Sequence, residues 1–258
     1  MSEILIRDFI IVILITLRIT GAFVAAPVFG HKSLPALVKI FLAFFIAYLI
    51  FLTLDTSKIH VEITFWFLFT SAVKELIAGL ILGFMLNFVF YGVLYAGTFI
   101  GFDMGIAISD VFDPSEGINS NPIGEVLYFV SLLIFLLING HHYLIEGLSF
   151  SFLTIPIGQS VLTQSLNDLL IKYSVQVFVI AVKIASPVMV SFFLVHIAEG
   201  IIARIIPQMQ VFFVTQPLKI ALGFLMLAGI APIYIYVIKN LLRNYETQLV
   251  EIVKAMSR

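Results

Sequence analysis

Hydrophobic residues run along this chain in long blocks, and polar residues fall into the short gaps between them. Crossing the hydrocarbon core of a bilayer takes about 20 apolar residues in helical form. Residues 9–26 make the first such block, ahead of Pro27 and Gly30, and residues 34–54 make the second, which ends in the polar patch 55–62. The third block, 63–109, is too long for one crossing: at about 1.5 Å per residue it would reach roughly 70 Å as a straight helix. Block 126–158 poses the same problem, with the polar quartet Asn139-Gly140-His141-His142 at its middle. Blocks 169–197 and 211–238 complete a set of six. The pattern predicts an all-α, polytopic integral membrane protein in which the two overlong blocks are bent, hairpinned or extended beyond the bilayer. Continuous apolar runs exclude a porin-type barrel, whose strands alternate apolar and polar residues.

Composition narrows the picture further. Of 258 residues, 61% are hydrophobic and 11% charged, with a mean hydropathy of +1.14. Soluble domains carry roughly 25% charged residues, so 14 basic and 15 acidic residues cannot give a core of this size a polar skin. That excludes an ordinary soluble enzyme, a disordered chain and a collagen-like fibre. A net charge of −1 with scattered Lys and Arg leaves no electrostatic footprint for nucleic acid. Cysteine is absent, which removes disulfides, thiolate metal sites and cysteine nucleophiles together.

Ala22-Phe23-Val24-Ala25-Ala26 has the look of a signal-peptide cleavage site. Arg18 interrupts the apolar core, however, and Glu3 and Asp8 deny the segment a positive start, so the first block is expected to stay as structure. Between Glu75 and Lys172 there is no Lys or Arg, and residues 110–125 hold four acids, whereas the C-terminus carries Lys239, Arg243, Lys254 and Arg258. The positive-inside rule then places the tail in the cytoplasm and the acidic loop on the opposite side. Six crossings put Arg7 and Lys58 inside as well, with Lys32 and Arg204 as exceptions. Residues 1–238 are expected to form one helical membrane domain and 239–258 an amphipathic cytoplasmic tail. In the tail Leu242, Tyr245, Leu249, Ile252 and Met256 recur at helical spacing, as in a helix lying on the membrane surface or docking a partner.

Charged residues inside apolar blocks are costly and are candidates for function. Here they are Arg18, Lys39, Lys74, Glu75, Asp103, Lys183, Glu199, Arg204 and Lys219. The plain explanation for most is pairing across helices or snorkelling. Lys74 and Glu75 point about 100° apart on a helix, so each needs a partner elsewhere. His196-x-x-Glu199 and His142-x-x-x-Glu146 each bring two metal-capable groups to one helix face, but the His-Glu-x-x-His signature is missing. Asp103 and Asp110 would share a face if the helix persists, and paired carboxylates could share a proton. A Gly-x-Ser-x-Gly elbow and a Walker loop are both absent. Neither a catalytic site, nor a metal, nor a cofactor is expected. A relay of Glu75, Asp103, Lys183 and Glu199 in an ion-coupled transporter is the alternative, although no internal two-fold repeat of span lengths supports it; a metalloenzyme built on His142, Glu146, His196 and Glu199 comes behind both.

Glycines are placed more tellingly. Gly79 and Gly83, and then Gly97, Gly101 and Gly105, repeat at four-residue steps; such stripes let helix backbones approach closely. The loop that follows, Asp110-Val-Phe-Asp-Pro-Ser-Glu-Gly-Ile-Asn-Ser-Asn-Pro-Ile-Gly124, is rich in turn formers. Val111, Phe112 and Ile118 within it suit a segment that folds into an opening and seals it, as hydrophobic constrictions do in channels.

In order along the chain stand Arg18-Ile-Thr-Gly21 with Pro27-Val-Phe-Gly30; Glu75-Leu-Ile-Ala-Gly79-Leu-Ile-Leu-Gly83-Phe84; Gly101-Phe-Asp-Met-Gly105 with Phe112-Asp113-Pro114; Asn139-Gly140-His141-His142; Arg204-Ile-Ile-Pro207-Gln208; and Pro217-Leu218-Lys219-Ile220. Each is short, but their order and spacing together resemble the FliR family of flagellar export-gate proteins, called SctT in injectisomes. Asp103 stands where that family usually has Gln, and Gln210 where it usually has Asn. The resemblance implies a subunit without chemistry of its own, placed in the bacterial inner membrane at the flagellar basal body. It implies assembly with FliP-like and FliQ-like membrane subunits into a helical closed pore for unfolded protein substrates, joined by FlhB-like and FlhA-like proteins. Energy would come from the proton motive force and a separate ATPase. Kinked hairpins would replace simple spans. The resemblance also makes Val111, Phe112, Asp113, Pro114 and Ile118 the candidate plug.

Overall fold

Prolines and polar turns set the limits of the helices. A computed structural model describes residues 2–31, 34–55, 63–106, 121–159, 163–208 and 210–257. Seven helices lie among these residues: α1 (Ser2–Ala25), α2 (Ala36–Thr53), α3 (Phe65–Asp103), α4 (Pro122–Leu137), α5 (Gly140–Thr154), α6 (Gln164–Ile205) and α7 (Val211–Met256). The residue before a proline is pushed out of the helical region, so α1 stops ahead of Pro27, α5 ahead of Pro156 and α6 ahead of Pro207. At the start of α4, Pro122 needs no amide partner in the first turn. The Asn121 side chain there accepts a hydrogen bond from the Ile123 amide at 2.9 Å.

The two overlong blocks resolve differently. Block 126–158 breaks at its polar quartet: Asn139 adopts left-handed dihedrals (φ 58°, ψ 32°) between α4 and α5, and asparagine tolerates that region better than most residues. Block 63–109 is not hairpinned, because α3 runs without a break for 39 residues, about 58 Å at helical rise. It ends in a Schellman turn, where Gly105 (φ 76°) sends its amide to the Phe102 carbonyl at 2.9 Å and Ile106 sends its own to Gly101 at 3.0 Å. Asp103 is therefore the last helical residue, and the helix does not carry on toward Asp110, which lies outside the described residues. Helices α6 and α7, at 42 and 46 residues, outrun the apolar blocks that mark them, since their ends are amphipathic. Among the described residues, five helices are long and apolar enough to cross a membrane, or up to six when α4 and α5 count as one broken span.

The chain gathers into two units. The first comprises Met1–Phe88, Asn139–Ser174 and Leu242–Arg258, and the second Val89–Ile138 and Val175–Leu241. In unit 1, α2 packs on α1, and Ile11, Ile15, Ile19 and Phe23 of α1 are wholly buried. The apolar stripe of the C-terminal tail is buried here too: Leu242, Tyr245, Leu249, Ile252 and Met256 are at most 2% exposed. Tyr245 donates to the Leu82 carbonyl at 3.3 Å, Thr163 to the Ala255 carbonyl at 2.7 Å, and Tyr173 to the Glu251 carboxylate at 2.6 Å. The stripe thus lies inside the protein, and neither lipid nor a partner needs to cover it. No break separates this tail from the apolar part of α7.

Unit 2 is held by aromatic and small residues. Phe90 meets Tyr128 and Phe135 edge-on, both at 5.8 Å between ring centres, and Phe99 meets Phe178 at 6.1 Å. Gly92 of α3 faces Ile180 of α6, and Gly97 lies against the Gly124 backbone of α4. Among the described residues, only 11% of the most apolar 18 residues of α7 are buried, against 61% for α3.

Candidate functional site

Two clusters gather most of the charged residues singled out from the sequence, and each stands in one unit. In unit 1, glycine makes the first cluster possible. A Cβ on Gly79 would strike the Arg18 carbonyl, one on Gly83 the Ala22 carbonyl, and one on Gly21 the Leu76 carbonyl 2.6 Å away. Helices α1 and α3 therefore touch backbone to backbone, and the side chains beside the crossing are sealed from outside. Arg18 and Glu75, both 0% exposed, occupy that place.

Their geometry is bidentate: Arg18 Nε donates to Glu75 Oε2 at 2.5 Å and Nη2 to Oε1 at 3.0 Å. Arg18 Nη1 also donates to Ser151 Oγ at 3.1 Å and Nη2 to the Ile155 carbonyl at 3.4 Å. The Phe152 ring lies 4.2 Å from the guanidinium carbon, a cation–π contact. The Gly158 amide donates to Glu75 Oε1 at 2.7 Å, and Lys74 donates to the Gly158 carbonyl at 3.4 Å. Gly158 sits at φ 79°, a dihedral open to glycine, in the turn that follows Pro156. Four segments (α1, α3, α5 and that turn) thus converge on one ion pair. A buried pair in which every polar atom has a partner locks a packing arrangement and offers no free group for chemistry.

Unit 2 holds the other cluster. Lys219 donates to Glu199 Oε2 at 2.8 Å, His196 Nδ1 lies 3.1 Å from the same oxygen, and Lys219 Nζ is 3.4 Å from His196 Nδ1. Asp103 stands near His196 and Lys219. Here Glu199 keeps 17% of its side chain exposed and His196 44%. The His196–Glu199 pair is thereby occupied by a lysine. Among the described residues no group of three His, Asp or Glu gathers as a metal site, while His142 and Glu146 are both exposed. Lys183 and Arg204 are exposed and belong to neither cluster. Lys39 instead donates to the Gly30 and His31 carbonyls at 3.0 Å each, closing the turn after α1.

Between α3 and α4, both stems of the intervening loop are tied down. Asn121 presses on Gly101, where a Cβ would meet its side-chain atoms, and donates to the Thr98 carbonyl at 3.2 Å. Gln216 of α7 donates to the Met104 carbonyl at 2.9 Å, beside Gly105. Gly97 and Gly101 thus sit in helix contacts, whereas Gly105 ends the helix. The candidate plug residues Val111, Phe112, Asp113, Pro114 and Ile118 lie outside the described residues. Asn121, Ser151, Phe152, Gly158 and Gln216 escaped the sequence reading. For Asn121 the cap-then-proline order, Asn121-Pro122, was a usable signal; Ser151 and Gln216 carried none.

Residues 9–245 match the family model described as Bacterial export proteins, family 1. The chain is 37% identical over 233 residues to the flagellar biosynthetic protein FliR of Bacillus subtilis (strain 168), covering 88% of each chain. With the FliR protein of Escherichia coli (strain K12) it shares 29% identity over 217 residues, 84% of this chain and 82% of that one. With that of Aquifex aeolicus (strain VF5) the figure is 25% over 246 residues, 95% of each. Motif order, an all-helical membrane-grade fold and alignment over nearly the full length agree, and the chain belongs to the FliR family of bacterial flagellar export proteins.

Proposed function

We propose that this chain is a conduit subunit of the flagellar protein-export gate, assembling with FliP-like and FliQ-like membrane subunits around a path for unfolded substrates. Family membership makes it a multi-pass membrane component of flagellar export and not an enzyme. The finer reading is supported chiefly by one observation: α7 is apolar enough to span a membrane, yet only 11% of its most apolar stretch is buried by its own chain. Apolar surface on that scale marks an interaction face or a lipid face. The relay of Glu75, Asp103, Lys183 and Glu199 draws no support, since both oxygens of Glu75 are held, by Arg18 and the Gly158 amide.

In this reading the complex sits in the inner membrane, the C-terminal residues face the cytoplasm, and FlhB-like and FlhA-like proteins join it. Residues 111–118 act as the plug. Co-expression with FliP-like and FliQ-like proteins and gentle purification should yield one discrete complex that contains this chain. A purified single protein that moves a solute in liposomes without partners would overturn the reading. Deleting residues 111–118 from the assembled complex should make vesicles leak small solutes; unchanged permeability would remove the plug role.

A further inference from the structure

Most charges within the apolar helices have an intramolecular explanation. Arg18 and Glu75 hold each other, as do Glu199 and Lys219. Lys39 donates to carbonyls in the turn after α1, and Arg204 stands in the last turn of α6, where a cation complements the helix dipole. Lys183 is different. It is exposed near the middle of α6, and no described carboxylate of its own unit lies in salt-bridge range of it.

Even its backbone is attended to. Pro187, one turn later, lacks the amide that would bond the Lys183 carbonyl, and the Ser186 hydroxyl donates to that carbonyl instead at 3.1 Å. Only the ammonium is left unanswered.

The surface around it shows which kind of group should answer. Along the face of α6 that carries Lys183, Val175 and Val179 stand exposed toward the start of the helix, and Val190, Leu194, Ile197 and Ile201 toward its end. They reach about 12 Å in one direction and about 27 Å in the other at helical rise. Setting Lys183 at the level of lipid headgroups would lift the Val175 to Val179 surface into water. A lysine kept at depth in an apolar layer faces a neighbouring helix or a water-filled cavity and is met there by an opposite charge or by backbone carbonyls; of these, a carboxylate alone cancels its charge.

We infer that the exposed face of α6 around Lys183 is a subunit interface, and that it receives an apolar helix of another membrane protein carrying an Asp or Glu opposite Lys183. The inference rests on the assembly reading above for the existence of a partner. It adds the contact face and the chemistry of recognition.

The test uses the full chain co-expressed with its FliP-like and FliQ-like subunits. Lys183→Glu should lower recovery of the complex at least tenfold and Lys183→Met several-fold, while Lys183→Arg keeps it. Replacing the acids in the partners' apolar helices by Lys, one at a time, should restore the Lys183→Glu complex at one position. Where Lys183→Glu fails to accumulate in the membrane, Lys183→Met carries the test. Wild-type recovery with both Lys183→Glu and Lys183→Met overturns the inference. So does a loss that no partner exchange restores and that follows the phosphatidylglycerol content of reconstituted nanodiscs, because lipid then answers the lysine. If the wild-type chain itself forms no complex, the assembly reading fails first and this inference falls with it; an intact wild-type complex indifferent to Lys183 defeats the inference alone.

Discussion

The two charge clusters use the same chemistry in opposite surroundings. The Arg18–Glu75 pair of unit 1 is 0% exposed, bidentate and held by α1, α3, α5 and the turn at Gly158. The Glu199–Lys219–His196 group of unit 2 leaves the carboxylate and the imidazole partly open. Full enclosure makes each partner dependent on the other, because a lone charge left inside is severely penalised. Partial exposure lets outside dipoles or counterions replace a lost partner. Burial therefore decides how much of the fold hangs on a pair, and glycine decides burial: without Gly21, Gly79 and Gly83 the α1–α3 crossing could not close over Arg18.

This contrast can be broken in graded ways. Glu75→Ala should have the largest effect, a loss of about 3–5 kcal/mol, read as a lower unfolding midpoint in detergent. The double change Arg18→Met with Glu75→Leu should recover much of that loss, since apolar side chains of similar volume replace buried pairs well. Gly79→Ala comes next, at about 1–3 kcal/mol from overpacking against the Arg18 carbonyl, and the same assay measures it. Asn121→Ala, which removes a helix cap in unit 2, should cost about 1 kcal/mol and speed exchange of the Ile123 amide. Glu199→Gln should cost about 1 kcal/mol, because the glutamine oxygen can still accept from the buried Lys219; raising salt should weaken the wild-type cluster and leave the Arg18 pair unmoved. Gly200→Ala should stabilise the isolated chain by up to about 1 kcal/mol, because a Cβ there meets nothing. A Glu199 variant as damaging as Glu75→Ala would erase the distinction between the two clusters.

Much of this was legible in the sequence wherever the signal was local. Apolar blocks announced the spans, the Asn139-Gly140 pair marked a break, and the glycine steps at 79 and 83 marked a close crossing. Long-range facts stayed hidden. Arg18 and Glu75 are 57 positions apart, and no periodicity links them. The unbroken course of α3 was also unreadable, since glycines that loosen a helix in isolation serve in this protein to admit neighbouring backbones. The tail misled for a related reason: an amphipathic stripe tells that one face is covered, while the cover itself, including Leu82 and Thr163, is set by tertiary structure.

That buried tail has a consequence in time. Unit 1 draws on the first residues of the chain and the last, with Leu242–Arg258 completing it, whereas unit 2 ends at Leu241. Synthesis at about 5–20 residues per second takes tens of seconds for a chain of this length. Over that interval every residue of unit 2 is joined to the chain before the final helical turns of unit 1 are made. The N-terminal helices, made first, are thus the last to find their full set of neighbours, and a ribosome that stopped at Leu241 would release a chain with unit 2 whole and the beginning of the protein still open.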